Sequence, residues 1–225
     1  LFQFVRPGTP CVIGTFTSNV DMKTGAPAFG TPEYMRATQM TGQMGRFYNL
    51  PIRSSGVCAA NVPDGQAMWE TSNSLWAGVQ SGSNLVYHAA GWLEGGLIAS
   101  PEKFIMDCEV LQMIQRYFEP IITQTGKDEI ALEAIREVGS SGHFFGVQHT
   151  QDRYENAFHQ PFISDWRNYE GWELAGGVWT ADRAHQKYKE ILSDYKKPSM
   201  GEAIHEELRA FVDRRISEGG APTDF

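Results

Sequence analysis

The stretch IRSSGVCAANVPDGQAMWETSNSLWAGVQSGSNLVYHAAGWLEGGL, residues 52–97, decides the class of fold. It opens on an apolar run, IRSSGV (52–57), and closes in on a second, LVYH (85–88). Between them a loop through Asn61 and Pro63 opens a helix with Met68, Ser72, Leu75, Trp76 and Val79 on one face, broken at Gly82. Strand, helix, strand at this spacing is a crossover unit, which joins parallel strands.

Working outward, the same unit repeats. Upstream, CVIGTFTS (11–18) reads as a strand, and a Gly/Pro-rich loop from Asp21 to Gly30 follows it. Thr31-Pro32-Glu33 then supplies an N-cap, a proline for the first turn and an acid near the positive helix end, with Ala37, Met40, Met44 and Phe47 at helical spacing. Downstream, Ser100-Pro101-Glu102 starts a helix carrying the stripe Phe104, Cys108, Leu111, Ile114 and Phe118. The series βαβαβα predicts an α/β fold with a parallel sheet. After Pro120 the pattern turns helical and polar, with helices expected over roughly 128–138, 145–158, 181–195 and 201–217. Two regions follow: βα units over 1–120 and a helical region over 121–225, with Trp166, Trp172 and Trp179 as its packing. Strands are scarce there, so the rest of the sheet is expected outside this sequence. The start, LFQFVRPGTP, reads as the middle of something, a fragment or a processed product.

Composition excludes more than it selects. The 225 residues are 41% hydrophobic with net charge −8, which suits a packed core and disfavours nucleic acid or an anionic membrane surface as partner. Cys11, Cys58 and Cys108 form no paired framework, so buried thiols in a reducing, cytoplasmic setting are expected. No apolar run approaches the ~20 residues that span a bilayer. Phosphate- and dinucleotide-binding glycine motifs are missing, as is His-Glu-x-x-His, and no metal site is expected. His159, His185 and His205 sit in polar helical contexts and read as surface.

Parallel α/β sheets bind ligands on the loops after their strands. The first such loop carries Thr17, Asn19, Asp21, Met22 and Phe29; the second Ser54, Ser55, Cys58, Asn61 and Asp64; the third His88, Trp92 and Glu94 among small residues. Each has a structural reading beside the functional one: a satisfied histidine, a packed tryptophan, a loop charge, and for Asp64 a helix N-cap. Ser54 and Ser55 lack a nucleophile-elbow context and read as polar pocket lining.

The run from Ser54 to Gln112, with DMKTGAPAFGTPE, GHFFGVQHT, SDWRNYEGW and the terminal EGGAPTDF, resembles the trimethylamine methyltransferase (MttB) superfamily, in its C-terminal half. The resemblance implies the C-terminal portion of a (β/α)8 barrel with a helical extension. It also implies methyl transfer from an amine to the Co(I) corrinoid (cobalamin) of a separate partner protein, with a homo-oligomer expected. Founding members place pyrrolysine on a loop that corresponds to Asn61-Val62, where this chain has ordinary residues. A quaternary amine such as glycine betaine, which leaves as a neutral tertiary amine, then fits better than trimethylamine. On that view His88 and Asn61 hold the catalytic positions, with His88 on the betaine carboxylate. Tyr87, Trp92 and Phe29 would cage the cation, with Glu94, Ser54 and Ser55 completing the substrate site. The small residues around His88 would leave room for substrate and corrinoid. A non-catalytic quaternary-amine binding protein, or an inactive half-barrel, remains the alternative.

Overall fold

The computed structural model describes residues 2–120 and 130–220. The chain divides into a unit over 1–189 and a second over 190–225.

After a short helix α1 (Phe2–Val5), the first unit builds a parallel sheet from β1 (Ile13–Gly14), β4 (Ile52–Ser55) and β5 (Leu85–Tyr87), in that spatial order. The intervening β2 (Asn19–Val20) and β3 (Pro27–Ala28) form an antiparallel hairpin inside the first loop. Asp21 closes its turn by accepting from the Thr24 hydroxyl at 2.7 Å. The predicted strand over 11–18 shrinks to a two-residue ladder because Phe16 to Ser18 leave the sheet for this hairpin.

Helix α2 (Pro32–Tyr48) leads from β1 to β4, and α3 (Gly65–Gln80) from β4 to β5. Their N-caps are as the sequence predicts: Thr31 accepts from the Tyr34 amide and Asp64 from that of Ala67. A small antiparallel pair, β6 (Trp92–Leu93) and β7 (Ile98–Ala99), follows β5, and Ser100 caps α4 (Pro101–Tyr117).

Packing departs from the apolar stripes. On α2, Met40, Met44 and Phe47 are exposed, while Tyr34, Thr38, Gly42 and Gly45 face inward. The reason is close approach: a Cβ on Gly42 would lie 2.3 Å from the Ser81 carbonyl oxygen, and one on Gly45 2.3 Å from Ile52 Cγ1. On α4, Phe104 and Phe118 are exposed, whereas Lys103, Asp107 and Glu109 are buried beside Ile105, Met106 and Ile114. Lys103 Nζ reaches Asp107 Oδ1 at 2.5 Å and the Thr71 hydroxyl at 2.8 Å. Satisfying both partners is what makes a buried ammonium tolerable. Ile105 and Met106 pack with Ile163 and Ala184, which ties the later helices of this unit to α4.

Helices α5 (Leu132–Val138), α6 (Gln148–Gln151) and α7 (Tyr169–Leu174) are shorter than or outside the predicted spans. The helix expected over 145–158 is a single turn at α6, since its polar run offers no continuous apolar face to repay nucleation. Residues 128 and 129 of another expected helix lie outside the described residues, as does the end of the EGGAPTDF motif. Trp166 and Trp179 are 63% and 74% exposed, with Trp166 meeting the His159 ring at 6.4 Å between centres, while Trp172 is partly buried and donates Nε1–H to the Val178 carbonyl. His159 is not at the surface: its side chain is 20% exposed and Nε2 lies 3.6 Å from the buried Glu109. Helix α8 (Thr180–Ser193) spans the boundary between the units, and among the described residues of the second unit the other helix is α9 (Glu202–Ser217).

Candidate functional site

Alternation along a strand sends successive side chains to opposite sides of the sheet. Ile52 and Ser54 point to the helices: Ile52 meets Gly45, and Ser54 Oγ and Val86 Cγ2 lie against Gly78. Arg53 and Tyr87 take the other side, where the Arg53 guanidinium stands 5.3 Å from the Tyr87 ring centre. That side is open, with Leu85 and Tyr87 about half exposed.

His88 would continue the alternation and join Val86 if its backbone stayed extended. Instead it adopts φ 51, the left-handed region uncommon for a residue with a Cβ. The ring turns to the Tyr87 side and its Nδ1 comes 2.8 Å from the Ser55 hydroxyl. Around it stand Trp92, edge-on at 5.7 Å between centres, Phe16 at 5.8 Å and Tyr87 at 6.0 Å. These rings come from the C-terminal ends of β1 and β5 and from β6. The cluster forms an open rim, not an enclosed cavity.

Beneath the rim lies a supporting layer. Phe29 is 2% exposed, lies against Phe16 at 4.7 Å with the rings tilted by 39°, and meets Tyr34 edge-on. It presents no free face to a ligand. Tyr34 donates its hydroxyl to the Ser55 carbonyl at 2.9 Å, and burial pushes that phenol's pKa up, keeping it neutral. Phe16 occupies the place that sequence reading assigned to Phe29. Its position directly after β1 is the signal that would have found it.

Two of the three glycines of the third loop, Gly91 and Gly95, are filled by protein. A Cβ on Gly91 would stand 3.2 Å from Phe104, and one on Gly95 2.8 Å from the Phe29 ring. Both have positive φ, as does Glu94. Only Gly96 of this group faces open space.

The second loop is held from below by Glu70, a residue the sequence does not single out. Its Oε2 accepts the amides of Ala59 and Ala60 at 2.8 and 3.0 Å, and its Oε1 accepts from Gln66. The third loop then docks on the second: Glu94 donates its amide to the Ala60 carbonyl, and Gly95 to that of Cys58. Asp107 accepts the Gly91 amide, so the Lys103 pair anchors the same loop. Burial pushes the Asp107 carboxyl up against the opposing pull of Lys103, and burial likewise raises the Cys58 thiol, a structural cysteine here.

The predicted residues thus separate. His88, Tyr87, Trp92 and Ser55 come together. Ser54 faces the helices, fully buried, because it is one residue out of phase with Ser55. Phe29 lies underneath. Asn61 and Glu94 are exposed on loops that Glu70 and the backbone bonds bring side by side. Among the described residues no group of three or more His, Cys, Asp or Glu could hold a metal ion, and no helix is long and apolar enough to cross a membrane.

A family model described as trimethylamine methyltransferase (MTTB) matches residues 1–220. The glycine betaine methyltransferase of Desulfitobacterium hafniense strain Y51 is 34% identical over 98% of this chain and 46% of its own length. Trimethylamine methyltransferase MttB1 of Methanosarcina acetivorans is 28% identical over 95% and 43%. The chain therefore spans less than half the length of these relatives.

Proposed function

The chain belongs to the trimethylamine methyltransferase (MTTB) family, and from that premise we propose that it takes part in methyl transfer from a quaternary amine of the glycine betaine type. The observation that carries the substrate class is the rim of Phe16, Tyr87, His88 and Trp92. Ring faces attract a quaternary ammonium by about 0.5–2 kcal/mol each, without a hydrogen bond that such a cation cannot make. The 34% identity to a protein named glycine betaine methyltransferase supports the same class.

The methyl acceptor is a second substrate, the Co(I) corrinoid of a separate carrier protein, delivered to the open side of the rim. The C–N electron pair leaves with the neutral tertiary amine, and the methyl carbon takes its new bond from the acceptor. No acid or adduct is needed for that leaving group, so the chain's task is placement and exclusion of water. Phe16 and Trp92 hold the cation, His88 meets the carboxylate, and the exposed Asn61 stands on the neighbouring loop. The series β1-β4-β5 forms a sector of a (β/α)8 barrel on this reading. Support comes from the parallel order and from β4, whose Ile52 and Ser54 face α2 and α3 on one side, while on the opposite side Leu85 and Tyr87 of β5 are about half exposed.

The test mixes the intact protein with Co(I) cobalamin and a panel of methylamines and betaines, and follows cobalt methylation by absorbance. Methylation from glycine betaine and not from trimethylamine is the expected result. Binding of betaine without methylation of cobalt would overturn the enzymatic reading in favour of a binding protein.

A further inference from the structure

Ser55 cannot touch a substrate. It is fully buried, and its hydroxyl meets the inner nitrogen of His88, Nδ1, at 2.8 Å. The neighbouring Tyr34 hydroxyl spends its hydrogen on the Ser55 carbonyl, which leaves Nδ1 and the Tyr34 oxygen as the acceptors beside the Ser55 hydroxyl. A hydroxyl that donates to Nδ1 leaves a neutral imidazole with its one hydrogen on Nε2, the nitrogen not engaged by Ser55, on a residue that is itself exposed.

We propose that Ser55 is a positioning residue that holds His88 as the Nε2–H tautomer, so that the rim offers a hydrogen-bond donor to the carboxylate of a zwitterionic quaternary amine. The inference rests on the quaternary-amine reading and adds the discrimination within that class. A ligand with ammonium alone gains from the rings, whereas a betaine gains from the rings and from Nε2–H. Two features of the backbone serve the same end. The left-handed conformation at His88 brings its ring over Ser55, and the bond from Tyr34 to the Ser55 carbonyl fixes the strand end from which the hydroxyl projects.

Two measurements test this on the intact protein. Nitrogen-15 chemical shifts and couplings of the His88 ring in the wild type report the tautomer directly and need no variant. A protonated Nε2 with an acceptor-type Nδ1 is expected; hydrogen on Nδ1 overturns the proposal. Calorimetry then compares glycine betaine with tetramethylammonium as probes. In Ser55→Ala the betaine dissociation constant should rise about tenfold while that for tetramethylammonium stays unchanged, and Ser55→Thr, which keeps the hydroxyl, should recover most of the loss. Betaine binding that survives Ser55→Ala unchanged, or an equal loss for both probes, overturns the positioning role while leaving the ring cage standing. Failure of the wild type to bind either probe overturns the quaternary-amine reading and this role with it.

Discussion

Phe16 and Trp92 divide the cation between them if the rim is a cage. Each ring contributes about 0.5–2 kcal/mol, so Phe16→Ala and Trp92→Ala should each weaken glycine betaine about 2- to 30-fold by calorimetry. Phe29→Leu should leave affinity nearly unchanged and lower stability instead, because Phe29 faces protein on all sides. Gly95 makes a second residue-scale case. Its φ of 63 and its contact with the Phe29 ring leave no place for a methyl group. Gly95→Ala should cost about 1–3 kcal/mol, read from the denaturant midpoint. At this scale residue types were legible and directions were not. His88 and Trp92 stand out in sequence as bulky groups among small ones, but nothing in the sequence says that His88 turns through a left-handed backbone.

Helix α4 shows what periodicity can and cannot supply. Its span and its Ser100 cap follow from local chemistry, and both agree with the sequence reading. Its buried face does not, since Lys103 and Asp107 lie inside and Phe104 outside. A hydrophobic stripe assumes that burial is repaid only by apolar area; here paired charges and backbone donors repay it. Lys103→Met should therefore destabilise by about 3–5 kcal/mol, and Lys103→Met combined with Asp107→Leu should recover much of that. The Asp107 carboxyl is already raised by burial, and losing Lys103 would raise it further. A folded-state pKa above the unfolded one contributes stability at low pH that is lost as pH rises. The deficit of Lys103→Met should thus shrink on acidification, by denaturant titrations at pH 4 to 7.

For the whole molecule, acid should act in the opposite direction through carboxylates paired with Arg167 and His185. The Arg167 guanidinium holds Asp165 down to about 2, and the bond from His185 lowers Glu102. A lowered folded-state pKa contributes stability above the ordinary carboxylate range and loses it as pH falls through the folded value. The advantage of wild type over Arg167→Ala should hold at pH 6 and vanish towards pH 2, followed by circular dichroism in urea.

By itself the sequence determined the order of the three parallel strands and of helices α2 to α4, the caps at Thr31, Asp64 and Ser100, and the family. These are local signals: a cap needs only its own turn, and a motif needs only its own residues. Only the tertiary structure decided that Phe16 replaces Phe29 at the rim, that Ser55 and not Ser54 meets His88, and that Gly91 and Gly95 are filled by Phe104 and Phe29. The physical reason is that each of these depends on which side of a sheet or loop a side chain leaves. That side is set by register, backbone dihedral and the approach of residues distant in sequence.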